Sequence, residues 1–104
     1  MSVLVEFAMF PTDKQGNSAS PYVSKVIEMI RESGVPYSLS AMGTTFETDT
    51  IEDANDLIAK SYKVLEPFSE RVYTIIKMDI RKNAKDRING KIASIEKIIG
   101  PVNH

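Results

Sequence analysis

Residues 2–11, SVLVEFAMFP, place Val3, Val5, Phe7 and Met9 on one side of an extended chain and Leu4, Glu6, Ala8 and Phe10 on the other. Both sides are mostly apolar, so the segment reads as a central strand covered on two faces, with Glu6 needing a partner. A chain of 104 residues has room for about one core. The remaining elements must therefore pack on this strand or beside it.

After the turn-forming stretch TDKQGNSAS, Ser20 and Pro21 supply a helix cap and a proline at the first helical position. Val23, Val26, Ile27 and Ile30 then recur at spacings of three and four, and Gly34 with Pro36 stops the helix, which is expected over 21–33. From Tyr37 the period returns to two on either side of Gly43, a hairpin in which Gly43 is expected to turn the chain at positive φ. Thr50 with Asp53 three positions on marks the next helix start. Ala54, Leu57, Ile58, Ser61 and Leu65 form its buried stripe, and Pro67 ends it. RVYTIIKMDI is a fourth strand. Ile88, Ile92, Ile95 and Ile99 define a last helix ended by Gly100 and Pro101.

The order strand, helix, strand, strand, helix, strand, helix is that of an α+β, ferredoxin-like βαββαβ sandwich with a four-stranded antiparallel sheet and an extra C-terminal helix. The whole chain, 1–104, reads as one domain. Thirteen basic residues against fourteen acidic ones argue against a nucleic-acid partner held by bulk charge. Cysteine is absent and the one histidine is His104, which leaves no thiolate chemistry, no Ser-His-Asp arrangement and no Cys-based metal site. No metal or cofactor is expected. The apolar start lacks a basic flank and carries Glu6, and no stretch is long enough for a membrane span, so a cytoplasmic, membrane-free protein is expected.

The hairpin SLSAMGTTFETD is unusually polar. In this fold Glu6, Glu47, Ser38, Ser40 and Thr45 share the sheet face away from the helices, with Leu4, Ala8, Phe10, Tyr73 and Ile75 among them. Each has a plain structural alternative. Glu6 pairs with Lys77 across neighbouring strands. Glu47 is solvated at a strand end, and Thr44, Thr45 and Thr48 suit strands because they are β-branched. The run DIRKNAKDR is a solvated surface. An acid and base pair of Glu6 and Glu47 has no support from the sequence.

VEFAMFP, SPYVSKVIEMIRESGVPYSLSAMGTTFE and RVYTIIKMDIR resemble the thiamine-binding, ferredoxin-like family of small, formerly uncharacterised proteins. The resemblance runs over nearly the whole chain and is most specific from Tyr37 to Glu47. It implies a homo-oligomer, a tetramer, that binds thiamine or its hydroxymethylpyrimidine portion without transforming it. An aminopyrimidine needs fixed donors and acceptors, and a thiazolium favours carboxylates and aromatic faces. Glu6 or Glu47 would answer the amine or the cation. Ser38, Ser40, Thr44 and Thr45 would supply hydroxyls, Phe10 and Met42 would wall the ring, and Ser18 and Ser20 would join from the first helix start. The other reading is an oligomeric interaction module whose polar sheet face packs on another subunit and holds no ligand.

Overall fold

In the computed structural model, which describes residues 1–14 and 19–104, the chain forms β1 (Ser2–Pro11), α1 (Ser20–Ser33), β2 (Tyr37–Ser40), β3 (Gly43–Thr48), α2 (Ile51–Leu65), β4 (Val72–Arg81) and α3 (Arg87–Ile99). A short 3₁₀ turn, Glu66–Phe68, follows α2 at Pro67. The strands lie in the order β2-β3-β1-β4, and every pair is antiparallel. This is the ferredoxin-like arrangement expected from the periodicity. The alternation of β1 is realised as read: Val3, Val5, Phe7 and Met9 are buried beneath the helices with Phe46, Val26, Ile30, Leu57 and Leu65. Phe7 meets Phe46 edge-on at 5.7 Å.

The helix ends follow local chemistry. Thr50 accepts a hydrogen bond from the Asp53 N–H at 3.1 Å, and Gly34 at φ 80° closes α1 in the left-handed region. Two local expectations are corrected. The residue before α1 is Ala19, so Ser20 is the first helical residue and not its cap. Gly43 does not have positive φ. The hairpin turns on Ala41 and Met42, clasped by the Ser40 hydroxyl, which accepts from Met42 N–H at 3.3 Å and donates to the Gly43 carbonyl at 3.2 Å. Gly43 is needed for space: a Cβ there would lie 3.1 Å from the Phe7 carbonyl oxygen.

At the far end of the sheet, Asp13 ties the exit of β1 to the start of β4. It accepts from the Ser69 hydroxyl at 2.5 Å and the Glu70 N–H at 2.8 Å. These bonds, the Ser69 one foremost, hold its carboxyl below the ordinary aspartate value. A depressed folded value means that the clasp is complete above the unfolded pKa and lost as pH falls through the lower folded one. The Glu70 amide resonance should titrate with a midpoint below about 3.9, the value of a free aspartate. A midpoint at or above it would count against the clasp.

α3 docks shallowly on the rest of the fold. None of its residues is buried, and Ile95, Ile98 and Ile99 are exposed. The radius of gyration is 15.0 Å, against about 13 Å for a compact chain of this length. No helix among the described residues is long and apolar enough to cross a membrane.

Candidate functional site

The polar residues of the hairpin divide among three places. Around the middle of the open sheet face, Glu6 is paired in register with both Thr45 and Lys77, and its carboxylate meets Lys77 Nζ at 2.7 Å. With Leu4, Met78 and Asp79 they bound a shallow depression of about 300 Å³. Ser38, paired with Thr45, lies exposed beside them. The Glu6–Lys77 pair is half solvated and contributes little to stability.

Glu47 shares that face but is only 8% exposed, contrary to the expectation of a solvated strand end. Its carboxylate is used within the chain. Oε2 accepts from the Ser2 hydroxyl at 2.5 Å, and Oε1 accepts from the Arg87 N–H at 2.9 Å and the Ile88 N–H at 3.3 Å. Glu47 thus caps α3 from a distant strand, where Asp86 at φ 54° offers no side-chain cap, and its negative charge faces the positive helix end. Arg87 completes the anchor, donating to Ser2 Oγ and O, each at 3.0 Å, to Asp79 Oδ2 at 2.8 Å and to the Asp79 carbonyl. Sequence reasoning placed Arg87 and Asp79 in a solvated charge run and passed over Ser2. Nothing local in the sequence links these residues, since the bonds span the length of the chain.

The third place is built like a binding site. β3 pairs with β1 only as far as Phe7, whereas β4 pairs with β1 to Pro11. Among the described residues, Ala8, Met9 and Phe10 therefore have strand neighbours on one side only, and alternate amide groups on the other side have no ladder partner. Against this free edge, α1 brings Val23, Val26 and Ile27, and the hairpin tip brings Leu39, Met42 and Thr44, around a hollow of about 310 Å³. Thr44 is 4% exposed, and its hydroxyl bonds no other described residue. Phe10, Ser40 and Gly43 also line the hollow. Met42, 90% exposed, stands at the rim. Ser20 lies on an adjoining groove that shares Val23, Ile27 and Leu39 and carries Glu28 and Arg31. Ser18 falls outside the described residues.

Among the described residues no charged side chain lines the hollow, so it suits a neutral, flat, apolar-faced group whose edge carries hydrogen-bonding atoms. A larger hollow of about 520 Å³ lies between the loop at Gly34 and the start of α2, but it is walled by Asp49, Asp53, Asp56 and Lys60. Lys60 is itself paired with Asp56 at 3.0 Å. That hollow mixes Val35, Pro36 and Leu57 with these charged groups and with Glu47, Lys85 and Asp86, and it does not sit on a free strand edge. The hollow at β1 was not legible as a unit, because its lining residues come from β1, α1 and the hairpin tip. Val23 and Ile27 were legible only as part of a helix stripe.

A four-stranded antiparallel sheet in the order β2-β3-β1-β4 with its helices makes the chain a ferredoxin-like α+β protein. Residues 5–96 match the family described as thiamine-binding protein, and the chain belongs to that family. A UPF0045 protein of Mycobacterium bovis is 30% identical over 99 residues, covering 95% of this chain and 96% of the relative. One from Methanothermobacter thermautotrophicus is 29% identical over 98 residues, covering 93% and 99%. The crystal structure of a hypothetical protein from Methanocaldococcus jannascii superposes with a TM-score of 0.77 at 30% identity, covering 93% of this chain and 98% of the other. A Thermotoga maritima protein, provisionally described as a thiamine biosynthesis/salvage protein, shares the fold with a TM-score of 0.78 at 22% identity, covering 91% and 99%.

Proposed function

We propose that the chain is a non-catalytic binding protein for the hydroxymethylpyrimidine portion of thiamine, free or as part of thiamine, and acts as its carrier, buffer or sensor. The observation that carries this reading is the hollow where β1 outruns β3. An aminopyrimidine presents alternating donors and acceptors on one edge and apolar faces on both sides. A strand edge flanked by Phe10, Val23, Ile27 and Leu39 offers the complement, and Thr44 adds one hydroxyl. The uncharged lining favours the pyrimidine over the cationic thiazolium, which would have to extend toward the groove holding Glu28. Family membership supports a thiamine-related ligand. Glu47, committed to α3, is left out of this site, and Glu6 lies on the other hollow.

Titration calorimetry with hydroxymethylpyrimidine and with thiamine tests the reading. Saturable heat for the pyrimidine is expected, and absence of heat for both compounds rejects the assignment. Thr44→Val keeps the branched shape and removes one hydrogen-bonding oxygen, so affinity should fall by about tenfold, near 1.4 kcal/mol, with the melting temperature unchanged. Unaltered affinity would remove Thr44 from the site.

We also propose a homo-oligomer, assembling to a tetramer. The exposed Tyr73, Ile75 and Ile98 favour association, and a small chain gains stability from it. An oligomer that gives no heat with either compound would favour the pure interaction module.

A further inference from the structure

The hollow at the free edge of β1 continues past Leu39. Val23, Ile27 and Leu39 line it and also line the neighbouring groove of about 410 Å³ along α1, so the two spaces are contiguous. Two rows of α1 side chains, each stepping by four residues, face the groove: Ser20, Ser24 and Glu28, and Val23, Ile27 and Arg31. Along both rows the lining becomes charged toward the end of the helix. Arg31 lies one turn, about 6 Å, beyond Ile27, and Glu28 comes before it. The Ser24 hydroxyl is engaged, donating to the Pro21 carbonyl at 3.0 Å. Glu28 and Arg31 are exposed, and neither forms an ion pair among the described residues, with each other or with another group.

We propose that the ligand bound best is a phosphate ester of thiamine, with its pyrimidine in the hollow, its thiazolium beside Glu28 and its phosphate at Arg31. This rests on the pyrimidine reading above and names the form of ligand that the same site takes. The argument is one of order. In thiamine a single methylene joins the neutral pyrimidine to the cationic thiazolium, and an ethyl arm beyond the thiazolium carries the ester oxygen. A neutral ring, a cation and an anion thus follow one another in the ester. Along α1 the apolar pair Val23 and Ile27, the carboxylate of Glu28 and the guanidinium of Arg31 follow in the matching order.

The carbonyl end of α1, closed at Gly34, carries partial negative charge and repels an anion, so the attraction for the phosphate has to come from the Arg31 side chain. Unphosphorylated thiamine leaves that side chain in water. Contacts between exposed charges are weak and salt-sensitive, so Glu28 and Arg31 set a preference among forms of the ligand, and the pyrimidine supplies most of the affinity.

Titration calorimetry with hydroxymethylpyrimidine, thiamine and thiamine monophosphate, at low and at high salt, reads this order. Thiamine monophosphate should bind about fivefold more tightly than thiamine at low salt, and the difference should shrink at high salt. Arg31→Gln should abolish or reverse the preference and leave the affinity for hydroxymethylpyrimidine unchanged, whereas Arg31→Lys should retain part of it. Glu28→Gln should weaken thiamine and its ester alike, by about threefold, and leave the pyrimidine unchanged. Both positions are exposed on a helix, so these variants should melt with the unaltered protein. Equal affinity for thiamine and its monophosphate, or a preference that survives in Arg31→Gln, would overturn the proposal and leave the pyrimidine reading standing. Absence of heat with all three compounds would overturn both.

Discussion

Replacing Glu47 by alanine is expected to lower the stability of the fold by about 3 kcal/mol and to strip amide protection from α3. The carboxylate accepts three hydrogen bonds, from the Ser2 hydroxyl and two helix N–H groups, and each bond to a charged acceptor contributes about 1.5–3 kcal/mol. Simple addition would give more, but the loss is limited by what α3 gains from docking, and α3 buries none of its residues fully. The melting temperature should fall by roughly 12–24 °C, at about 4–8 °C per kcal/mol for a domain near this size. Glu47→Gln keeps one carbonyl for the helix end and should lose only about 1 kcal/mol. Glu6→Gln breaks an exposed pair and should change stability by less than about 1 kcal/mol. Thermal melts with hydrogen exchange at α3 decide the matter. Equal effects at Glu6 and Glu47, or protected α3 amides in the alanine variant, would refute the anchoring role.

The other large effect is expected in the hollow. Val23 is half buried on α1, facing the free edge of β1, so Val23→Phe can place its ring where a pyrimidine would lie while disturbing the core little. Affinity for hydroxymethylpyrimidine should fall by at least about a hundredfold, or roughly 2.7 kcal/mol, with the fold retained by circular dichroism. A folded variant that binds as before would move the ligand to another surface. The depression at Glu6, Thr45 and Lys77 would then be the place to look.

Much of this architecture is written in local patterns. The two-residue period of β1, the Thr50 cap with Asp53, and Gly34 at the end of α1 are short-range signals and can be read directly. Glu6 with Lys77 was legible as well, because the strand order of the fold places them side by side. Glu47 was not, since its helix partners lie some forty positions on and a strand-end glutamate ordinarily faces water. Gly43 misled for a related reason. Its position in a hairpin suggests an unusual backbone angle, whereas the cause is the Phe7 carbonyl on a neighbouring strand. The hollow was hidden because unequal strand lengths create it, and residue types do not encode such a mismatch by themselves. Phe10, Ser40, Met42 and Thr44 were singled out from chemistry and do gather there. Glu6, Ser38, Thr45 and Glu47 lie elsewhere.

The central place of β1 also bears on how the protein is made. It precedes both of its partners in the chain: its ladder with β3 needs residues up to Thr48 and its ladder with β4 needs residues up to Arg81. At synthesis rates of about 5–20 residues per second, an apolar strand waits seconds for its first neighbour and longer for its second. Until then SVLVEFAMFP is an unshielded, aggregation-prone stretch in a nascent chain, and the charge of Glu6 in its middle, with Pro11 at its end, works against its pairing with its own kind.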